Sequence, residues 1–177
     1  MKKVTIFFNP KKEEAPVKAK LLTTALTEKE VVAEVYETKL ENKDWGLLDS
    51  GADLVVVMGG DGTFLRVSKQ AIDHNIPILG INFGHLGFLS EYGDIEIEEL
   101  AEAIATNDLF IQERSILKAE LPSIGKSFFA VNDIVINRAP SSNLLYTDLY
   151  IDNDLLHSYR SDGIVVSTPT GFPLLML

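Results

Sequence analysis

The sequence predicts an α/β N-terminal domain with an open, mostly parallel sheet, followed by a β-rich second domain. Three observations predict it. Apolar, β-branched runs alternate with segments of helical period through the first half of the chain. The run Leu54–Met58 is wholly apolar, as in a strand buried on both faces of a parallel sheet. Beyond about Phe110, strand-like segments succeed one another with turn residues between them and no helical period.

The elements come in order. Val4, Ile6, Phe7 and Phe8 make a short buried strand, stopped by Asn9-Pro10. Residues 15–26 carry Val17, Leu21, Leu22 and Ala25 at helical spacing, and residues 31–36 return to β-branched residues. After Leu54–Met58 and a cluster of glycines, Phe64, Val67, Ser68, Ala71 and Ile72 mark one face of a helix ending near His74-Asn75. Residues 76–81 read as another strand, and residues 94–106 as a helix with Ile97, Leu100, Ala101 and Ile104 inward. Strand–helix alternation of this kind builds a parallel sheet. Strands are then expected over residues 112–121, 127–138, 144–152 and 155–161, with turns at 122–125 and 152–154. The expected division is an α/β domain over 1–109 and a β-rich domain over 110–177.

Composition narrows the function classes. Lys+Arg number 16 against 26 Asp+Glu, a formal net charge of −10. Such a surface has no non-specific attraction for nucleic acid or anionic membrane. A few N–H groups or one arginine can still hold a phosphate locally. There is no cysteine, so disulfides and thiolate metal sites are excluded. No apolar run reaches the length of a secretory core or a membrane span, and a cytoplasmic protein is the expectation.

The chemistry concentrates first at Gly59-Gly60-Asp61-Gly62-Thr63, at the carboxyl end of a sheet strand, where open parallel sheets bind ligands. Gly60 and Gly62 would allow positive φ and close approach of the backbone. The N–H groups opening the next helix, from Thr63 onward, would attract an anion, oligophosphate above all. An aspartate among phosphates repels them unless it acts as a base beside an acceptor hydroxyl or as a ligand of phosphate-bound Mg²⁺. Arg66, one helical turn on, is placed to assist. The simpler alternative is a tight turn with Asp61 capping the helix. The loop lacks the lysine of a Walker loop and the spacing of a dinucleotide fingerprint.

Three later stretches add to it. Residues 80–89 combine glycine hinges with His85 and Phe88 in a loop after a strand; the alternative is a plain connection with the apolar residues buried. Asn132-Asp133 lies within an apolar run, where a polar pair is costly unless hydrogen-bonded, and an adenine edge with ribose hydroxyls would satisfy it. A turn or bulge is the alternative there. Arg160-Ser161-Asp162-Gly163 leads into Ile-Val-Val and Ser167-Thr168-Pro169-Thr170-Gly171; for Asp162-Gly163 alone, a hairpin turn is the alternative.

The glycine loop resembles the motif shared by NAD kinases, diacylglycerol and sphingosine kinases and, more distantly, phosphofructokinases. The later stretches resemble the NAD kinase family specifically, with Asp133 one methylene shorter than that family's Glu. The resemblance implies transfer of phosphate from ATP, or polyphosphate, to the 2′-hydroxyl of the adenosine ribose of NAD⁺, with Mg²⁺. It implies Asp61 as base, contacts from Gly59, Gly60, Gly62, Thr63, Arg66, His85 and Phe88, and nucleotide binding by Asn132 and Asp133. It further implies that Asp162 accepts from the nicotinamide amide, with Arg160 nearby and Thr170 at the rim. Family members form homo-oligomers. They continue past Gly171 with Ser-Thr-Ala-Tyr, where this chain reads Phe172-Pro173-Leu174-Leu175. The expectation is therefore a truncated product whose activity is impaired. A lipid or sugar kinase sharing the glycine loop, or a non-catalytic nucleotide-binding fragment, are the competing readings.

Overall fold

The computed structural model describes residues 1–38, 51–83, 96–140 and 143–171. The chain divides into two compact units, Met1–Glu113 and Arg114–Leu177.

The first unit is the expected parallel sheet. Its strands are β1 (Lys3–Phe8), β2 (Val32–Glu37), β3 (Leu54–Met58) and β4 (Ile78–Ile81), in the order β2-β1-β3-β4. All three pairings are parallel, with Val4 opposite Ala33 on one side and opposite Leu54 on the other. The helices are α1 (Glu14–Glu28), α2 (Asp61–Asp73) and α3 (Ile97–Thr106). Every residue of β3 is buried, as its uninterrupted apolar run requires.

Side chains alternate across a strand, so the two faces of the sheet have separate cores. Val4, Ile6, Leu54, Val56 and Met58 pack in one cluster with Ala19 and Leu22 of α1 and Leu100 and Ile104 of α3. Phe7, Val55 and Val57 alternate to the opposite face, and α2 contributes its own buried Phe64, Val67 and Ala71 while touching β3 and β4. Each such side chain, fully buried, is worth on the order of 1.5–3 kcal/mol. One inward residue set differs from the expected one. Val17 and Leu21 of α1 are 61% and 51% exposed, and the buried stripe is Ala15, Ala19, Leu22, Ala25 and Leu26. Alanines on that stripe let the helix approach sheet and α3 closely, which the bulkier valine and leucine would prevent.

Among its described residues, every strand pairing in the second unit is antiparallel. It contains β5 (Leu117–Leu121), β6 (Lys126–Ala130), β7 (Asp133–Asn137), β8 (Leu145–Ile151), β9 (Asp154–Ser161) and β10 (Gly163–Ser167). They form three two-stranded ladders: β5 with β6, β8 with β9, and β10 with β7. The expected strand 112–121 starts only at Leu117, and 127–138 is not one strand, because it bends at Val131-Asn132 into β6 and β7. The β8–β9 turn is a two-residue loop, Asp152 and Asn153, with φ of 50° and 73°. That left-handed pair matches the twist of a hairpin, and Asp and Asn tolerate it. Among the described residues, no helix is long and apolar enough to cross a membrane.

Asp53 ties the start of the sheet. Its carboxylate accepts backbone N–H bonds from Lys2 (2.6 Å) and Lys3 (2.9 Å), bonds that hold its carboxyl below the usual aspartate range. A depressed folded pKa stabilises above the unfolded pKa, and that contribution fades as pH falls through the folded value. Asp53→Ala is therefore expected to lower the thermal midpoint at neutral pH, with the gap to wild type closing in acid. A gap that is constant from pH 7 to pH 3 would contradict this account.

Candidate active site at the carboxyl ends of β1 and β3

The sheet order reverses between β1 and β3: the chain leaves β1 toward β2 and leaves β3 toward β4. With right-handed crossovers the two connections depart on opposite faces and leave a crevice at the strands' carboxyl ends. Asn9 to Lys12 leave β1 at that point, and Gly59 to Gly62 leave β3.

Asn9 fastens the two exits together. Its backbone N–H donates to the Met58 carbonyl (2.9 Å), its Nδ2 donates to Thr63 Oγ1 (3.2 Å), and its Oδ1 accepts from the Lys11 N–H (3.0 Å). Gly59 donates to the Ile81 carbonyl (2.8 Å), which holds the loop to the end of β4. A Cβ on Gly59 would lie 2.9 Å from Thr63 Oγ1, 3.0 Å from Thr63 Cβ and 3.2 Å from Asn9 Cβ. Gly59 is thus a packing requirement. Gly60 and Gly62 serve differently: no heavy atom lies within 4 Å of a Cβ on either.

The expected positive φ is not what these glycines provide. Gly60 is the N-cap of α2 at φ −91°, and Gly62 lies within the helix. Their use is the open space beside them. Asp61 is the first residue of α2, so the cap position belongs to Gly60 and not to the aspartate. Asp61 is half-buried, with Oδ1 shielded from solvent.

Beside the loop lies a cavity of about 540 Å³. The exit of β1 lines it with Asn9, Pro10, Lys11 and Lys12, and the end of β2 with Glu37 and Thr38. Gly60, Gly62, Thr63 and Arg66 close the third side, whereas Asp61 is not among the lining residues. Thr38 is fixed there by donating from both its N–H and its Oγ1 to the Phe8 carbonyl, each at 2.9 Å. The arrangement suits an anion: three cations face one carboxylate, and the first turn of α2 directs N–H groups outward.

In the second unit, Asn132 and Asp133 are drawn against the Thr168–Gly171 turn. Asp133 opens β7 opposite Ser167 of β10. Thr168, buried, donates its N–H to the Asn132 carbonyl (2.7 Å) and its Oγ1 proton to the Val131 carbonyl (2.5 Å). The same Oγ1 accepts from the N–H of Thr170 (3.2 Å) and of Gly171 (3.3 Å). A Cβ on Gly171 would meet the Asn132 carbonyl at 2.5 Å. Asn132 Oδ1 and Ser167 Oγ are buried with no hydrogen-bond partner among the described residues, so each is an open position for a polar ligand or water.

Asp162 and Arg160 each have a partner of their own. Asp162 accepts from Arg138 Nε (2.5 Å), and Arg138 also donates its backbone N–H to the Asp162 carbonyl (2.9 Å). Arg160 lies on β9 with its guanidinium over the Tyr146 ring, 5.4 Å from the centroid. Asp162-Gly163 is no hairpin turn, since β9 pairs with β8 and β10 with β7. Gly163 is glycine because a Cβ there would sit 2.3 Å from the Ile136 carbonyl. His85 and Phe88 lie outside the described residues, as does the tail after Gly171. Sequence reasoning missed Asn9, Thr168 and Arg138. Asn9 had a signal: parallel strands end at one edge of their sheet, so the loops leaving β1 and β3 must meet there.

The fold and its loop define a parallel α/β protein with a glycine-rich turn at the switch point of its sheet. Residues 45–109 match the ATP-NAD kinase N-terminal domain, and residues 131–172 the ATP-NAD kinase C-terminal domain. An NAD kinase of Ruminiclostridium cellulolyticum is 42% identical over 125 residues, covering 69% of this chain and 44% of that protein. One of Flavobacterium johnsoniae is 31% identical over 175 residues, covering 97% of this chain and 58% of that protein. Among solved structures, yeast NADH kinase complexed with NADH superimposes with a TM-score of 0.73 at 22% identity, over 97% of this chain and 58% of that one. The chain belongs to the NAD kinase family. It spans about half the length of the curated relatives it matches.

Two substitutions test the geometry. Gly59→Ala should destabilise the protein by about 1–3 kcal/mol, since the crowded atoms belong to a helix and to the Asn9 staple. Thr168→Val, nearly isosteric, should cost about 1–3 kcal/mol because the buried Val131 carbonyl loses its donor. Urea denaturation reads both, and midpoints equal to wild type would refute the corresponding contact.

Proposed function

We propose that this protein acts as an NAD kinase, passing the γ-phosphoryl group of ATP to the 2′-hydroxyl of the adenosine ribose of NAD⁺. The observation that carries this reading is Asp61. It is the one carboxylate of a glycine loop at the switch point of the sheet, beside a cationic cavity, in a chain of the NAD kinase family.

In this mechanism the Asp61 carboxylate takes the proton of the ribose 2′-hydroxyl as that oxygen attacks the γ-phosphorus. A bond forms between O2′ and the γ-phosphorus, the bond from that phosphorus to the bridging oxygen breaks, and ADP leaves. Gly60 and Gly62 leave room for the phosphoryl group to approach the helix N-terminus, and Arg66 adds charge to its wall. Mg²⁺ carried by the donor phosphates would neutralise their charge, while Asp61 keeps the role of base.

The remaining site residues enter as acceptor-binding groups. Asn132 and Asp133 take the adenine edge and ribose hydroxyls, an assignment supported by the open Asn132 Oδ1. Asp162, held by Arg138, accepts from the nicotinamide amide, with Thr170 at the rim and Arg160 farther along β9. His85 and Phe88 complete the acceptor side. Residues 1–109 then form the α/β nucleotide-binding domain, and 110–177 the first part of a β-rich NAD-binding domain. The family reading brings homo-oligomers for the full-length members, and the sequence a cytoplasmic location.

The experiment measures NADP⁺ formation from NAD⁺ and ATP, with NAD⁺ binding monitored in parallel by calorimetry. Asp61→Asn is expected to lower turnover by roughly 10²–10⁴-fold while leaving NAD⁺ binding intact. Turnover that survives the substitution sinks the base role. A chain that neither turns over nor binds NAD⁺ sinks the whole reading.

A further inference from the structure

Asn132 stands at a bend, outside the strand ladders on either side of it. A bend leaves the direction of its side chain open unless the backbone is fixed before and after it. Here one residue fixes both. The peptide group before the Asn132 Cα carries the Val131 carbonyl, which accepts from Thr168 Oγ1 at 2.5 Å. The peptide group after it carries the Asn132 carbonyl, which accepts from the Thr168 N–H at 2.7 Å. Peptide groups are planar, so two pinned planes set φ and ψ of Asn132, and with them the direction of its Cα–Cβ bond.

Thr168 is itself held. It is 3% exposed, and its Oγ1 accepts from the N–H of Thr170 and of Gly171 while donating to Val131. The Gly171 N–H also reaches the Thr168 carbonyl (3.1 Å), which closes the turn. A Cβ on Gly171 would lie 3.1 Å from the Asn132 Cα, so the turn rests directly on the Asn132 backbone. Only a hydroxyl does this work: valine has nearly the shape of threonine, with neither the proton nor the lone pairs. The group held in place is an unused one. Asn132 Oδ1 is shielded from solvent and has no partner among the described residues, an arrangement that costs free energy until a ligand or water meets it.

We propose that Thr168 is a positioning residue for the acceptor. Through the two peptide groups that flank Asn132 it aims that amide at the adenosine half of the dinucleotide, and it touches no substrate atom itself. This rests on the reading of Asn132 and Asp133 as acceptor-binding groups. The nicotinamide half depends on a separate frame. Asp162, paired with Arg138, precedes β10, whereas Thr168 follows it, so the two lie beyond opposite ends of one strand.

The test is calorimetric titration of the full chain with NAD⁺, with 5′-AMP and with nicotinamide mononucleotide, at a temperature where circular dichroism shows every protein folded. Thr168→Val removes the hydroxyl, and Thr168→Ser keeps it. The stability control is Gly125→Ala, which strains a left-handed position (φ 62°) in the β5–β6 turn of the same unit. Thr168→Val should bind NAD⁺ and AMP about tenfold more weakly than wild type, the loss expected for one or two hydrogen bonds. Its affinity for nicotinamide mononucleotide should be unchanged. Thr168→Ser should recover the wild-type affinities, and Gly125→Ala should show them despite a lower urea midpoint. Where turnover is measurable, the KM for NAD⁺ rises in Thr168→Val and the KM for ATP does not.

Equal NAD⁺ affinity in wild type and Thr168→Val overturns the proposal and leaves the kinase reading standing. Equal losses for AMP and nicotinamide mononucleotide, or the same losses in Gly125→Ala, reduce Thr168 to a structural residue and overturn it as well. A loss that Thr168→Ser does not recover overturns the role of Oγ1. Wild type that binds NAD⁺ and not AMP overturns the assignment to the adenosine half. Wild type that binds none of the three overturns the acceptor reading, and the proposal with it, so the two failures are distinguishable.

Discussion

The burial of β3 on both faces is the constraint on which the first unit depends. Leu54–Met58 offers no polar side chain to water, so one helix layer cannot satisfy it. α1 and α3 cover the face of Leu54, Val56 and Met58, and α2 lies with the face of Val55 and Val57. Helices on both sides require connections that leave the sheet in opposite directions, and the strand order must then reverse beside β3. The crevice is a by-product of that reversal. A site placed there inherits rigid strands behind it and two loops whose separation the sheet sets.

Both units solve the same local problem in the same way. A turn must come close to another piece of backbone, and a glycine with a threonine hydroxyl makes the approach. At Gly59 the neighbour is Thr63, whose Oγ1 accepts from Asn9. At Gly171 the neighbour is the Asn132 backbone, and the hydroxyl is that of Thr168, both donor and acceptor. A hydroxyl is suited to this because it can close a hydrogen bond in either sense without adding charge. In the first case the lock leaves Gly60 and Gly62 facing open space. In the second it presents Asn132 and Asp133 at a bend, where one acceptor oxygen remains open.

The sheet, its helices and the motif positions were legible in the sequence because each rests on local pattern. β3 announced itself by an unbroken apolar run, and α3 by Ile97, Leu100, Ala101 and Ile104, all of which are buried. The illegible part depends on choices among equally good patterns. The apolar spacing of α1 admits a stripe through Val17 and Leu21 as well as one through Ala15, Ala19 and Leu22. Only close packing against the sheet and α3 favours the alanines. The bend at Val131-Asn132 arises from hydrogen bonds with Thr168, a residue 37 positions away from Val131, and no local rule contains it. The glycine loop was read for backbone freedom, whereas its first glycine answers a clash with Thr63 and with Asn9, a residue far earlier in the chain.

The electrostatics of the first unit connect these points. A net charge of −10 spread over the protein acts through water and salt, where its reach is a Debye length of about 8 Å at physiological ionic strength. Lys11, Lys12 and Arg66 line one cavity together, where Glu37 is the single carboxylate of the lining, so positive charge is concentrated at that wall. A small anion at that wall would therefore meet positive charge first, within a Debye length of it, although the chain as a whole is acidic.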